Sequence, residues 1–266
     1  MTTRLDAALA ARGLARSRTH AASLIAEGVV RVDGNPVIKA SLRVADDADI
    51  RIDAPDHYVS RAARKLIAAL DAFAVDPRGR VALDMGASTG GFTQVLRERG
   101  AEPVIAVDVG HDQLADSIRA DPGVVAVEGF NVREMSPASL AEVSGGHRPP
   151  EVVVADLSFI SLGLVLPAVR ATAARGADII LLVKPQFEVG RTAVRGGLVT
   201  NPTLRADAVA GVLWRAWDLG LGTRGVIASP LLGSHGNAEF VVWLREGPGG
   251  NPTEWLDTVN SLAGER

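Results

Sequence analysis

The chain contains no cysteine among its 266 residues. Disulfides and thiolate metal sites are therefore excluded, no metal is expected, and a reducing cytoplasm is the expected compartment. No apolar run approaches the roughly 20 residues a membrane-spanning helix needs, because Asp, Lys or Gly interrupts every candidate. The opening segment MTTRLDAALA has no apolar stretch of the kind that directs secretion, so no signal peptide is expected. Aromatic residues are sparse, at 4% of the chain, and nearly absent from residues 1 to 60, so that stretch offers no platform for stacking against flat rings. Lysine is scarce too. Of the 28 basic residues only three are Lys, at positions 39, 65 and 184. Where a fixed charge suffices this chain uses Arg, so the remaining lysines are candidates for work that requires losing a proton. The net charge of −3 means that any surface made for nucleic acid must be local.

What is present centres on Val81 to Thr93, VALDMGASTGGFT. A short apolar run ends in Asp84, followed by Gly86, Ser88, Gly90 and Gly91, and then by helical spacing in Phe92, Val95 and Leu96. This is strand, glycine-rich turn and helix start, a local structure that brings backbone N–H groups close to a ligand. Val- and Ile-rich runs recur downstream at 103–109, 124–129, 151–157, 177–184, 224–229 and 238–245, with helical segments between most of them. Nearly continuous apolar strands alternating with helices predict a mostly parallel sheet buried on both faces. The last two runs are joined by a loop without a helix, PLLGSHGN, so that pair is expected to be antiparallel.

In such a sheet, ligands bind at the carboxyl ends of the strands. Those ends carry Asp84 and Gly86, Asp108, Gly129 to Asn131, Asp156, and Lys184-Pro185. Asp108 lies about 20 residues beyond the turn, where an acid can accept hydrogen bonds from ribose hydroxyls, and Phe130 and Asn131 would then lie near an adenine. Three ligands compete for the turn. A dinucleotide wants Gly where Ser88 stands. A serine-hydrolase elbow is formally matched by Gly86-Ala87-Ser88-Thr89-Gly90, with His235 downstream and Asp156 or Asp178 between, but the motif follows the first strand of its domain. The third is S-adenosylmethionine: D-x-G-x-S-x-G-G-F-T from Asp84 to Thr93, with an acid ending the next strand, resembles the cofactor motif of Rossmann-like methyltransferases, and a ligand without a pyrophosphate fits the Ser substitution.

Four residues from separate places could converge beside that ligand. Lys65 is on a helix predicted over 61–73, with Ser60 as its cap and Arg61 and Arg64 beside it. Asp156 and Lys184 end strands, and Glu239 opens the last one. Methylating a ribose 2′-OH requires removing a weakly acidic proton, which a Lys can do only if its neighbours and burial favour the amine. In this reading Lys184 is the base and Asp156 positions it, while Lys65 and Glu239 hold the hydroxyl. Two structural ion pairs at strand ends would be the plainer explanation.

Residues 1 to 60 read as a small basic module. Apolar spacing predicts helices over 3–12 and 17–27, with Ser17 as the second N-cap. VVRVDGNPV reads as a hairpin turning at Asp33-Gly34, and Ile50 and Ile52 indicate another strand. Residues 1 to 45 hold seven basic side chains against Asp6, Glu27 and Asp33, and an acidic patch of Asp46, Asp47, Asp49, Asp53 and Asp56 follows. Ala54-Pro55-Asp56-His57 marks a boundary.

The opening Arg-Leu-Asp, the Ser17-Arg18 helix start and the Gly-x-Val-x-Val-x-Gly hairpin resemble the S4 RNA-binding fold. The Lys65, Asp156, Lys184 and Glu239 set resembles the tetrad of FtsJ-like ribose methyltransferases. Together with SRAARKL, DMGASTGGFT, VVADLSFISL, LLVKPQFEVG and GNAEF, the chain from Arg4 to about Arg245 resembles the TlyA family, bacterial cytidine 2′-O-methyltransferases of 16S and 23S ribosomal RNA. The resemblance implies an α/β, Rossmann-like class I methyltransferase fold with a seven-stranded mostly parallel sheet, behind a small S4-like domain. The implied division is 1–57, a linker at 58–62, and 63–266. It implies S-adenosylmethionine held by Asp84, Gly86, Ala87, Ser88, Gly90, Gly91, Phe92, Asp108, Val109, Phe130, Asn131 and Asp156. It also implies structured ribosomal RNA held by Arg4, Arg16, Ser17, Arg18, Arg31 and Lys39. A monomer is expected. The chain departs from the wider superfamily at Asn131, where an Asp is frequent near the adenine. Two other functions compete: a pore-forming or haemolytic protein, a name the family has carried, and a non-catalytic RNA-binding assembly factor. The loop from Phe187 to Pro202, with Arg191 and Arg195, could close over RNA, and Trp255, Leu256, Val259 and Leu262 predict a C-terminal packing helix.

Overall fold

The basic module folds around Leu5, Leu9, Ile25 and Val30, all fully buried. The computed structural model describes residues 2–26, 28–52, 57–190, 194, 196–233, 236–247 and 249–264. Glu27, Asp53 to Asp56, Arg191, Arg195 and His235, named above, lie outside them. The chain starts in a strand, β1 (Thr2–Arg4), followed by α1 (Leu5–Ala11) and α2 (Arg18–Ala26). The first helix begins later than its apolar spacing predicts, because residues 2–4 pair antiparallel with β4 (Arg43–Ala45). Ser17 caps α2 as expected, its Oγ accepting the His20 N–H at 3.1 Å. The hairpin is β2 (Val30–Val32) and β3 (Asn35–Pro36), and β5 (Ile50–Ile52) pairs on the other side of β2. Its turn residues Asp33 and Gly34 both have positive φ, 49° and 80°, the backbone that a two-residue hairpin loop demands.

Helix α3 (Ala63–Phe73) leads into the larger sheet. Ser60 Oγ accepts the Ala62 N–H at 3.2 Å, so the turn at 60–62 precedes the helix rather than forming its first turn. Then come β6 (Ala82–Met85), α4 (Gly91–Glu98), β7 (Val104–Val107), α5 (Asp116–Arg119), β8 (Val124–Val127), α6 (Pro137–Val143), β9 (Val152–Ala155), α7 (Leu162–Thr172), β10 (Asp178–Val183), α8 (Pro185–Glu188), α9 (Pro202–Asp218), β11 (Leu221–Ala228), β12 (Phe240–Glu246) and α10 (Leu256–Gly264). The sheet order is β11-β12-β10-β9-β6-β7-β8. Six strands run one way. Only β12 is reversed, and it is antiparallel to β10 as well as to β11, its neighbour in sequence.

Every residue of β6, β7, β9 and β10 is buried. Their alternate side chains fill two cores. Leu83, Ile105, Val153 and Leu181 face the layer holding α7, α9 and α10, while Ala82, Val104, Val152 and Ile180 face α3 and α4. That two-sided burial is the physical reason the runs read as continuously apolar. Part of the expected long loop after Lys184 is helical (α8), and the predicted C-terminal helix packs on α9 with Val259 and Ala263 buried.

Candidate active site

The strand register determines which residues meet. Met85 is level with Ala155 and Val183 is level with Phe240, so Gly86 and Asp156 leave adjacent strands at one edge. Because β12 runs in reverse, Glu239 at its start arrives beside Lys184 at the end of β10. Helix α3 brings Lys65 over the same edge. Lys65 Nζ donates to Glu239 Oε2 at 2.8 Å and to Asp156 Oδ2 at 3.1 Å. Lys184 Nζ lies 2.6 Å from Asp156 Oδ1 and donates to Ser158 Oγ at 2.9 Å. The four groups predicted to converge therefore form one continuous chain, Glu239–Lys65–Asp156–Lys184, whose side chains are 2–14% exposed. Gly233 has no side chain because a methyl there would collide with the Glu239 carboxylate.

Burial works against the Lys65 ammonium, but Asp156 and Glu239 together outweigh it and push its pKa above the ordinary lysine value. Burial likewise disfavours ionised Asp156, yet Lys65 and Lys184 hold its pKa below the usual carboxylate range. The two lysines are unequal: Lys65 is clasped by two carboxylates, Lys184 by one carboxylate and a hydroxyl.

Three cavities meet at this chain. One of about 230 Å3 is lined by Ser60, Arg61, Lys65, Ala87, Gly91 and Phe92, among others. A second, of about 400 Å3, is lined by Asp108, Val109, Phe130, Asn131 and Ile160. Gly86, Ser88 and Asp156 line both. The third, of about 280 Å3, lies between Lys184, Glu239, Phe159 and Phe187. At Gly86 φ is +85°, and a Cβ would lie 2.8 Å from Leu157 Cδ2, so any other residue there would be strained in its backbone and would push Leu157 aside. Asp108 braces the turn from the next strand, its Oδ2 accepting the Ser88 N–H at 2.8 Å and its Oδ1 the Gly110 N–H at 2.7 Å. Asn131 Oδ1 accepts the Arg133 N–H at 3.1 Å and thus starts a short helical turn.

Two of the expected cofactor residues stand behind the cavities. Gly90 (φ +96°) packs against Leu114 and Ile118. Asp84 is fully buried beneath the turn, accepting from Thr93 Oγ1 at 2.7 Å with its other oxygen unpartnered. Burial pushes this carboxyl up to about 7, against the hydrogen bond from Thr93.

On the basic module Arg4, Arg16, Ser17, Arg18 and Lys39 are exposed and Arg31 is partly so. Arg4 and Arg18 share Asp6, at 3.1 and 3.0 Å, and Arg31 donates to the Gly34 carbonyl at 3.3 Å. Sequence reasoning missed Ser158, Phe159 and Gln186, all of which line cavities beside Lys184. Phe159 had a usable signal, an aromatic three residues past a strand-end acid. It is 92% exposed at φ +65° and lies 5.3 Å from the Phe187 ring.

Residues 58–246 match the FtsJ-like methyltransferase family and residues 3–50 match the S4 domain. The chain is 53% identical over 245 residues to the 16S/23S rRNA (cytidine-2′-O)-methyltransferase TlyA of Mycobacterium tuberculosis, covering 91% of this chain and 89% of that one. Hemolysin A of Brachyspira hyodysenteriae is 34% identical over 90% of this chain and 98% of its own length. A solved hemolysin-named protein from Streptococcus thermophilus superposes with a TM-score of 0.76 at 33% identity, covering 98% of this chain and 95% of that one. The chain belongs to the TlyA family of FtsJ-like methyltransferases that carry an S4 domain in front.

Proposed function

We propose that this protein transfers a methyl group from S-adenosylmethionine to the 2′-OH of cytidine in ribosomal RNA of the small and large subunits. The observation that carries the reading is the single buried chain of Lys65, Asp156, Lys184 and Glu239 at the junction of three cavities. The 53% identity to a named 16S/23S rRNA (cytidine-2′-O)-methyltransferase supports the substrate. The cofactor is supported by the donor set. The positive-φ glycine at 86 exposes the turn's backbone, and each Asp108 oxygen accepts a single backbone N–H, from Ser88 and Gly110, where the residue lines the second cavity. Gly86, Ser88, Asp108, Val109, Phe130 and Asn131 would hold the nucleoside end, and Ala87, Gly91 and Phe92 the rest, with Asp84 and Gly90 supporting the turn from below. When bound, the cofactor supplies an electrophilic methyl carbon on a positive sulfur.

This chain's residues do the proton work. Lys65, clasped by two carboxylates, stays an ammonium and serves as a fixed positive charge against the ribose oxygens. Lys184, with a single carboxylate, takes the 2′-OH proton on Nζ as the oxygen attacks. Asp156 holds both lysines, and Glu239 anchors Lys65. RNA would be gripped by Arg4, Arg16, Ser17, Arg18, Arg31 and Lys39 of a front unit at 1–57, joined through 58–62 to the catalytic unit at 63–266. A ribosomal RNA substrate would put the protein, acting as a monomer, in the bacterial cytoplasm. Among the described residues no helix is long and apolar enough to cross a membrane, and no cluster could hold a metal.

The test incubates unmethylated ribosomal subunits with labelled cofactor and maps reverse-transcription stops sensitive to ribose methylation. Incorporation at cytidine is expected. Lys184→Arg keeps the charge but cannot act as a base, so turnover should fall by about 10²–10⁴-fold while cofactor binding, read by calorimetry, persists. Full turnover in that variant would refute Lys184 as the base.

A further inference from the structure

The motif Lys184-Pro185-Gln186-Phe187 contains a polar side chain, Gln186, that the reaction above does not use. Gln186 is the second residue of α8, two positions past the proposed base. It lines the cavity of about 280 Å3 together with Lys184, Glu239, Phe159, Phe187 and Asn237. Its Oε1 is buried without a hydrogen-bond partner. A buried amide oxygen that the protein itself does not satisfy is one that an N–H of a ligand in this cavity can meet.

The other neutral amide of the cavity is already committed. Asn237 Oδ1 accepts the Val199 N–H at 3.0 Å, and its Nδ2 donates to the Gly197 carbonyl at 2.7 Å. Glu239 is held by Lys65 at 2.8 Å. Two phenyl rings supply an apolar wall, and the volume accommodates one nucleobase. A ribose with its 2′-OH at Lys184 would carry its base only a few bonds away, within reach of the residue two positions on.

We propose that Gln186 reads the Watson–Crick edge of the target base, its Oε1 accepting a hydrogen bond from the exocyclic amine of cytosine. This rests on the ribose-methyltransferase reading and adds to it the residue that selects the base. Cytosine presents an N–H donor at position 4, whereas uracil presents a carbonyl oxygen there, which meets Oε1 acceptor to acceptor while the amide keeps this orientation. A site with a buried group waiting for a partner rejects the analogue that lacks it.

The experiment uses the full-length protein and a ribosomal RNA substrate that it methylates. The target cytidine is replaced in turn by uridine and by pyrimidin-2-one riboside, which has a hydrogen in place of the amine. For the wild type, kcat/KM should drop by about 10–100-fold on both replacements. Gln186→Leu should lose about the same factor on cytidine and treat all three bases alike. If that variant melts below the assay temperature, Gln186→Met, unbranched and of similar length, takes its place. Flat wild-type ratios, or a variant that keeps the full cytidine preference, would overturn the assignment. So would a folded, cofactor-binding variant inactive on every base, because a base reader sets preference rather than turnover. A wild type that methylates no ribosomal RNA fails the underlying reading instead, and cytidine methylation with flat ratios fails only this assignment.

Discussion

The two halves of this molecule handle charge in opposite ways. In the front module Arg4 and Arg18 reach Asp6 from the surface, with side chains 47% and 61% exposed. Such pairs contribute little stability and remain available for exchange with another anion. At the edge of the large sheet, two lysines and two carboxylates are paired at 3.1 Å or closer with almost no exposure. Buried pairs rarely add stability over an apolar replacement, and removing one partner strands the others. Exposed charge suits a partner that arrives with phosphates of its own; buried charge suits a reaction that must move one proton in a fixed direction. The frames match this division. The front strands are two or three residues long around a small core, while the sheet behind has four- to eight-residue strands between two large cores.

Breaking the buried half should produce the largest effect. Lys65→Met strips Glu239 of its ammonium and leaves Asp156 to Lys184 alone, so the catalytic unit should lose about 3–5 kcal/mol, read from urea denaturation. A change of under about 1 kcal/mol would mean that the cluster is more solvated than its geometry implies.

A second test separates two buried acids by the sign of their pH dependence. Asp84 has its pKa raised to about 7, so between the unfolded carboxylate value and about 7 the folded state holds a proton that the unfolded state has released. Its stability contribution therefore falls as pH rises through that window and levels off above it. Asp156 is lowered, so its contribution is present above the unfolded value and is lost as pH falls toward the folded one. Melting curves should show Asp84→Asn gaining on the wild type from pH 4 to pH 7. Parallel curves would mean that Asp84 is ionised in the fold.

The smallest effect belongs to the exposed half. The double variant Arg16→Ala, Lys39→Ala should leave the melting temperature unchanged, weaken RNA binding and reduce the slope of log affinity against log salt by about 0.7–0.9 per lost phosphate contact. An unchanged slope would move the RNA-facing surface elsewhere.

Much of this was legible because the large sheet is buried on both faces. Burial made its strands apolar from end to end, and the polar residues that break the pattern, Asp108, Asp156 and Lys184 at the edge where the cavities open and Asp84 just beneath it, stand out against them. The pairing of Thr2–Arg4 with Arg43–Ala45 was not legible, since three exposed residues have no periodicity. Nor was the place of β12 between β10 and β11, because strand order depends on packing far along the chain. Asp108 was found by its distance from the turn, but its bonds to the Ser88 and Gly110 backbone were not foreseeable. Gln186 was invisible for a related reason: an unmet acceptor exists only once every neighbour has been counted.

The single reversed strand makes the proposed catalytic set separable. Lys65, Asp156 and Lys184 are carried by a helix and by the ends of two central strands, whereas Glu239 depends on the connection that returns the chain from β11. Lengthening or shortening that connection would move one carboxylate and leave its three partners where they are. A lineage could thus retune the field around the target hydroxyl through an external hairpin, without disturbing a single strand of the interior.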